Sequence, residues 1–201
     1  NESPVKWCAV ALSDVVARGK RLEASVFDVE AKQAYMLLTH GKYPAVNLIS
    51  KNGPVEKAYY GGRLKRHYVD ETEPGAVGFL GSSEMLDCKP EPVKFMLNDV
   101  KTTDVRVKQG VVLISRSGTI GNVTYVGNTL SKFFVSEHAI RIECKDFPGY
   151  VYAFLKTKIG KLIVCSTQYG AVIQEIEPEH LATVPIPDAP TMLKKKIHDL
   201  I

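Results

Sequence analysis

The apolar positions along this chain change their period several times. Residues 25–40, "SVFDVEAKQAYMLLTH", place Val29, Tyr35, Met36 and Leu38 at helical spacing ahead of Gly41. Before them, Ser13-Asp14 can cap a short helix over 14–18 that Gly19 ends. From about 44 to 104 the runs shorten, and Asn52-Gly53, Gly61-Gly62, Pro74-Gly75 and Pro90 separate them, which predicts short strands and no sizeable helix. Residues 105–108 alternate, Gln109-Gly110 turns, and Val111, Val112, Leu113 and Ile114 form a continuous run suited to a strand buried on both faces. That run stops at Arg116-Ser117-Gly118-Thr119, crosses Gly121 and restarts at Val123, giving a strand, a turn and a second strand. Another strand is expected over 133–143, with its phase breaking at Ser136-Glu137-His138.

Pro148-Gly149 opens the best helical pattern. Val151, Phe154, Leu155, Ile159, Leu162 and Ile163 share one stripe, and Gly160 is its weak point. After it, "STQYGAVIQEI" reads as a polar loop and a strand, "PEHL" as one helical turn, and "VPIPDAP" as an extended exit. Leu193, Ile197, Leu200 and Ile201 then recur at helical spacing, an apolar seam suited to a partner helix. Strands and helices segregate rather than alternate, so the predicted class is α+β with a β-rich middle and packed helices, not a doubly wound sheet.

The 201 residues suffice for one domain, or two small subdomains around a shared core. Twenty-six Lys and Arg against 22 Asp and Glu leave a net charge of +4, which permits a polyanionic partner without requiring one. Cys8, Cys88, Cys144 and Cys165 lie far apart, with no Cys-x-x-Cys pair, so neither a zinc site nor a disulfide framework is suggested, and no metal is expected. No apolar run approaches a membrane span and no signal peptide opens the chain, so a cytoplasmic protein without membrane contact is expected, and the Asn122-Val123-Thr124 sequon carries no meaning there. The first residue is not Met and the last helical pattern stops at Ile201, which reads as a piece of a longer protein.

Two stretches carry candidate chemistry. The turn at Ser117-Gly118-Thr119-Ile120-Gly121 is open to three readings: a phosphate cradle, a glycine-shaped turn, or a turn that also touches a nucleic-acid backbone through Arg116, Ser117 and Thr119. The nucleotide-binding glycine motifs are missing, and a strand rather than a helix follows. The second stretch is "GGRLKRHYV" at 61–69. Extended, it would put Arg63, Lys65 and His67 on one face and Leu64, Arg66 and Tyr68 on the other. A basic segment with an aromatic suits a DNA groove, and a solvated charged loop is its plainer reading. A hydrolase built on Ser117, Cys165 or His138 is a further alternative, although no nucleophile elbow, zincin helix or methyltransferase motif is present.

Several blocks in order carry a resemblance: "RLEASVFD" at 21–28, "GGRLKRHYV" at 61–69, "GFLGSSEM" at 78–85, "VVLISRSGTIGNVTYV" at 111–126, "VSEHAIRI" at 135–142, "GYVYAFLKT" at 149–157, "YGAVIQEIEPEHLATVPIP" at 169–187 and the closing "LKKKIHDL". Together they resemble a target-recognition domain of the specificity (S, or HsdS) subunit of type I restriction–modification systems. The resemblance covers nearly the whole chain and is most specific from the Ser-Gly-Thr-Ile-Gly turn to the Pro-Ile-Pro exit. It implies a non-catalytic component that reads one half of a split target in double-stranded DNA. Residues 1–187 would be the recognition domain and 188–201 the start of a spacer helix, through Leu193, Ile197, Leu200 and Ile201, that pairs with its counterpart beside a second recognition domain. Partner methyltransferase subunits would bring S-adenosylmethionine, and restriction subunits the nuclease, so this chain itself would hold no cofactor. A recognition domain fused into a type II restriction–methylation enzyme is the close variant. Chemistry and loop position, not a family motif, nominate the DNA contacts: Arg63, Lys65, Arg66, Tyr68, Arg116, Ser117, Thr119, Lys132, His138, Gln168 and Tyr169.

Overall fold

A computed structural model describes residues 7–17, 20, 22, 24–170 and 173–201. The predicted helix end at Gly19, parts of the 21–28 block, and Ala171-Val172 lie outside the described residues. At the centre is a four-stranded antiparallel sheet in the order β2 (Val55–Tyr60), β8 (Ala139–Cys144), β5 (Val112–Ser115), β6 (Val123–Tyr125). Strand β5 lies inside it, and the continuous apolar run has its reason there. Val112 and Ile114 face a helical layer with Val151, Leu155 and Ile163, while Leu113 faces the opposite core with Leu80, Met85 and Val135. All three β5 side chains are fully buried, and a residue of this size contributes about 1.5–3 kcal/mol on burial.

The helical layer differs from the single helix that the 148–165 stripe predicts. It consists of α3 (Pro148–Lys156) and α4 (Lys158–Cys165), broken at Thr157, whose backbone is extended and whose Oγ1 caps α4 by accepting from the Gly160 amide at 3.0 Å. A Cβ on Gly160 would collide with the Phe154 carbonyl and lie 2.9 Å from Leu155 Cα. The weak point of the pattern is therefore the place where two helices touch backbone to backbone. Helix α2 (Val29–Thr39), capped by the Asp28 carboxylate on the Ala31 amide, packs on α4 through Ala34 and Leu38. The short α1 (Leu12–Ala17) precedes it.

The expected strand over 133–143 is two strands in two sheets, and the predicted phase break is the crossing point. Strand β7 (Phe134–Val135) runs parallel to β3 (Ala76–Leu80), which also pairs antiparallel with β4 (Phe95–Leu97). Ser136-Glu137-His138 then turns the chain into β8. Arg141 joins the two sheets: only 1% exposed, it donates to the carbonyls of Val135 at 2.8 Å, Ala139 at 3.1 Å and Val105 at 3.3 Å.

Two further departures concern the end of the chain. The described residues of 166–176 hold isolated bridges rather than a strand, and the Pro-Ile-Pro exit is strand β9 (Pro185–Pro187), paired with β1 (Ala45–Asn47). The turn at "PEHL" is α5 (Pro178–Ala182). In α6 (Thr191–His198), Leu193 and Ile197 are half-buried against the domain's own helical core, where Gly149 lets His198 Nδ1 accept from its amide at 3.2 Å. Leu200 and Ile201 of the same seam remain exposed.

Candidate nucleic-acid interface

The extended segment 61–69 follows the predicted alternation. Leu64 enters a small core with Phe79, Met96, Val105 and Phe134; the Arg66 guanidinium sits 5.0 Å from the Phe79 ring centre; and Tyr68 meets that ring edge-on at 6.2 Å. Arg63, Lys65 and His67 are exposed, with Lys65 and His67 bordering an open cleft of about 550 Å³ that Asp99 and Asp104 also line. The segment starts at Gly61 because the Arg141 guanidinium occupies the space of a Cβ there.

From Arg66 a continuous band of polar contacts runs to the glycine turn. Arg66 pairs with Glu137 at 2.7 Å, and the neighbouring His138 carbonyl accepts from the Arg116 amide at 3.0 Å. Arg116 Nη2 pairs with Glu175 at 2.7 Å and Glu177 at 2.9 Å, with its guanidinium 4.8 Å from the Tyr60 ring centre. Glu177 also accepts from the Tyr60 and Tyr169 hydroxyls. Ser117 bridges Glu175, and Tyr169 and Glu175 exchange both backbone hydrogen bonds at 2.9 and 2.8 Å, so this pair stands beside the turn. Within the turn, Gly118 and Gly121 take φ of +72° and +74°, a region that favours glycine. Ser115 Oγ ties Thr119 Oγ1 at 2.8 Å from below.

Electrostatics link the members of the band. Burial alone would raise Glu177, but hydrogen bonds from Tyr169 and Tyr60 and the charge of Arg116 hold it below the usual carboxylate range. Burial likewise opposes Glu137, and the hydrogen bond from Arg66 outweighs it. A depressed folded pKa gives stability that is fully present above the ordinary value of 4.5 and is lost as pH falls through the lower folded one. Urea midpoints should therefore drop on acidification below about 4.5, and Glu177→Gln should flatten part of that drop. An identical pH dependence in the variant would contradict the network.

No family profile and no curated protein matches the sequence. Solved structures do. The S subunit of a type I restriction–modification system from M. genitalium is 14% identical with a TM-score of 0.54, over 80% of this chain and 38% of that one. The HsdS subunit from Thermoanaerobacter tengcongensis is 16% identical with a TM-score of 0.55, over 92% and 45%. A chain from a structure of type I system assembly and conformational transition is 15% identical with a TM-score of 0.51, over 92% and 49%. The fold is that of half a specificity subunit. This chain spans less than half the length of each of the three.

On this specificity-subunit fold the nominated residues divide. Arg66, Tyr68, Arg116, Ser117, Thr119, His138 and Tyr169 lie along or beside the band. Arg63 and Lys65 flank it on the outer face of the 61–69 segment, whereas Lys132, exposed beside β7, has no contact tying it to the band among the described residues. Gln168 is half-buried just before Tyr169. Arg116, nominated as a DNA contact, has two carboxylate partners and the Tyr60 ring beneath it.

The phosphate-cradle reading loses its basis, because Gly121 and Asn122 amides turn inward to the Ser115 and Thr119 carbonyls. Neither Ser117 nor Cys165 has a histidine hydrogen bond among the described residues; the Cys165 thiol, raised by burial, donates to the Ile120 carbonyl. Sequence reasoning missed Tyr60, Glu175 and Glu177. The available signal was Glu175-Ile176-Glu177, two carboxylates sharing a face around an apolar residue that is wholly buried.

Proposed function

We propose that this chain is a DNA-sequence reader: a target-recognition domain, spanning residues 1–187, of a type I specificity subunit, which directs methyltransferase and restriction subunits to one half of a bipartite site. The observation that carries the reading is the band from Arg66 to Tyr169 on a fold matching half an S subunit: two loops fixed side by side, with the cationic Arg63–Lys65 edge adjoining. Fixed loops hold polar side chains at base edges, where a good bidentate contact discriminates by about 1–3 kcal/mol. Exposed cations add affinity without sequence information. S-adenosylmethionine belongs on the methyltransferase partner, and the complex works in the cytoplasm. The segment 188–201 begins the spacer helix, with the exposed Leu200 and Ile201 available to its counterpart.

Neutralising Arg63 and Lys65 together tests the cationic edge. Each phosphate contact contributes about 0.9 to the slope of log K against log salt, so the double Ala variant of the assembled complex should lower that slope by about 1–2 and weaken all DNA sequences alike. An unchanged slope removes these two residues from the DNA interface.

A further inference from the structure

The loop that the band fixes has one exposed neutral polar side chain among its described residues 169, 170 and 173–175, that of Gln174. Its backbone neighbour Glu175 is held on both sides, by Tyr169 through paired hydrogen bonds and by the bridge to Ser117. The Glu175 side chain turns inward to Arg116, whereas Gln174 beside it is exposed. Among the described residues no hydrogen bond occupies the Gln174 side chain, while every charged group at the base of the loop, Arg116, Glu175 and Glu177, is paired. Gly118 leaves open space on the facing turn, where a side chain would meet nothing within 4 Å.

We infer that Gln174 is a specificity-determining residue, its carboxamide pairing with the N6 and N7 edge of one adenine in the major groove, and that Glu177 is the positioning residue that fixes it there. The chemistry follows from the side chain. A carboxamide offers one donor and one acceptor, which matches the acceptor N7 and donor N6 of adenine and not the two acceptors of guanine. The loop base carries two carboxylates against one guanidinium, so it repels phosphate and gives the loop no reason to lie along the DNA backbone. Glu177 acts at a distance: it holds Tyr169 and Arg116, which hold Glu175.

This inference rests on the DNA-reading function proposed above. The test is a methylation map of the complete subunit assembled with its methyltransferase, for wild type, Gln174→Ala and Glu177→Gln. Gln174→Ala should keep every position of the recognised half-site except one A·T pair, where discrimination falls about tenfold or more, with the salt slope of binding unchanged. Glu177→Gln should lose discrimination at that same pair while its non-specific affinity stays. An identical motif in Gln174→Ala overturns the inference, as does relaxation at a G·C pair or equal weakening at all positions. A wild-type complex that modifies no defined sequence would instead overturn the reading on which the inference rests.

Discussion

Arg141→Ala is expected to destabilise the domain by about 3–5 kcal/mol, a loss of roughly 10 °C in melting temperature for a chain of this size. The guanidinium is among the largest fully buried side chains and supplies donors to three carbonyls from three segments: β7, β8 and the turn at 100–105. Alanine leaves those acceptors without these donors and a cavity between the two sheets. One effect opposes this: burial pushes the Arg141 guanidinium down, so the wild type carries a desolvation cost that the variant escapes. Escape does not win, because alanine supplies neither volume nor donors. Arg141→Met separates the contributions. It refills most of the cavity without restoring hydrogen bonds, and its stability should fall between wild type and alanine. A methionine variant as stable as wild type would mean that the buried donors contribute nothing. Because Gly61 rests on the same guanidinium, loss of Arg141 should also loosen the start of the basic segment.

Gly160→Ala should destabilise the domain by about 1–3 kcal/mol, and here the sign alone decides. Helix propensity favours alanine over glycine by about 1 kcal/mol, so a continuous helix over 148–165 would be stabilised by the change. In the broken arrangement the new methyl group meets the Phe154 carbonyl and Leu155 Cα, which are backbone and cannot swing aside. The Gly160 amide must also stay on Thr157 Oγ1 to keep the α4 cap. Thermal or urea unfolding of the 201-residue chain gives the answer, and a raised midpoint would contradict the α3–α4 packing.

These two residues also mark what the sequence could convey. Local periodicity showed wherever neighbours along the chain decide the structure: the doubly buried run at 112–114, the alternation of Leu64, Arg66 and Tyr68, and the phase break at 136–138. Arg141 was illegible for the opposite reason. Between Ile140 and Ile142 it reads as an outward residue of an ordinary alternating strand, and only the second sheet, brought over it by β7, makes that face interior. Gly160 carries the same ambiguity, since a stripe that continues across a backbone contact looks like one helix until the contact is seen. Leu193 and Ile197 were read as an apolar seam, and part of that seam packs on the domain's own helical core, a contact that spacing along the chain does not reveal.

The candidate site was legible in part. The basic segment and the glycine turn stood out by composition, yet their connection runs through Glu137, Glu175 and Glu177, acidic residues that a search for cations passes over. The charges pairing across 59 and 61 residues of sequence tie Arg116 to Glu175 and Glu177. What remains outward beside them, Gln174 and the Arg63–Lys65 edge, is the surface that DNA would meet.

The most direct measurement is a domain exchange. Residues 1–187 are placed in a complete specificity subunit in place of one of its recognition domains, the subunit is assembled with its methyltransferase, and the modified bases are mapped genome-wide. The account predicts that one half of the bipartite motif changes while the other half is retained. A motif unchanged in both halves would contradict it.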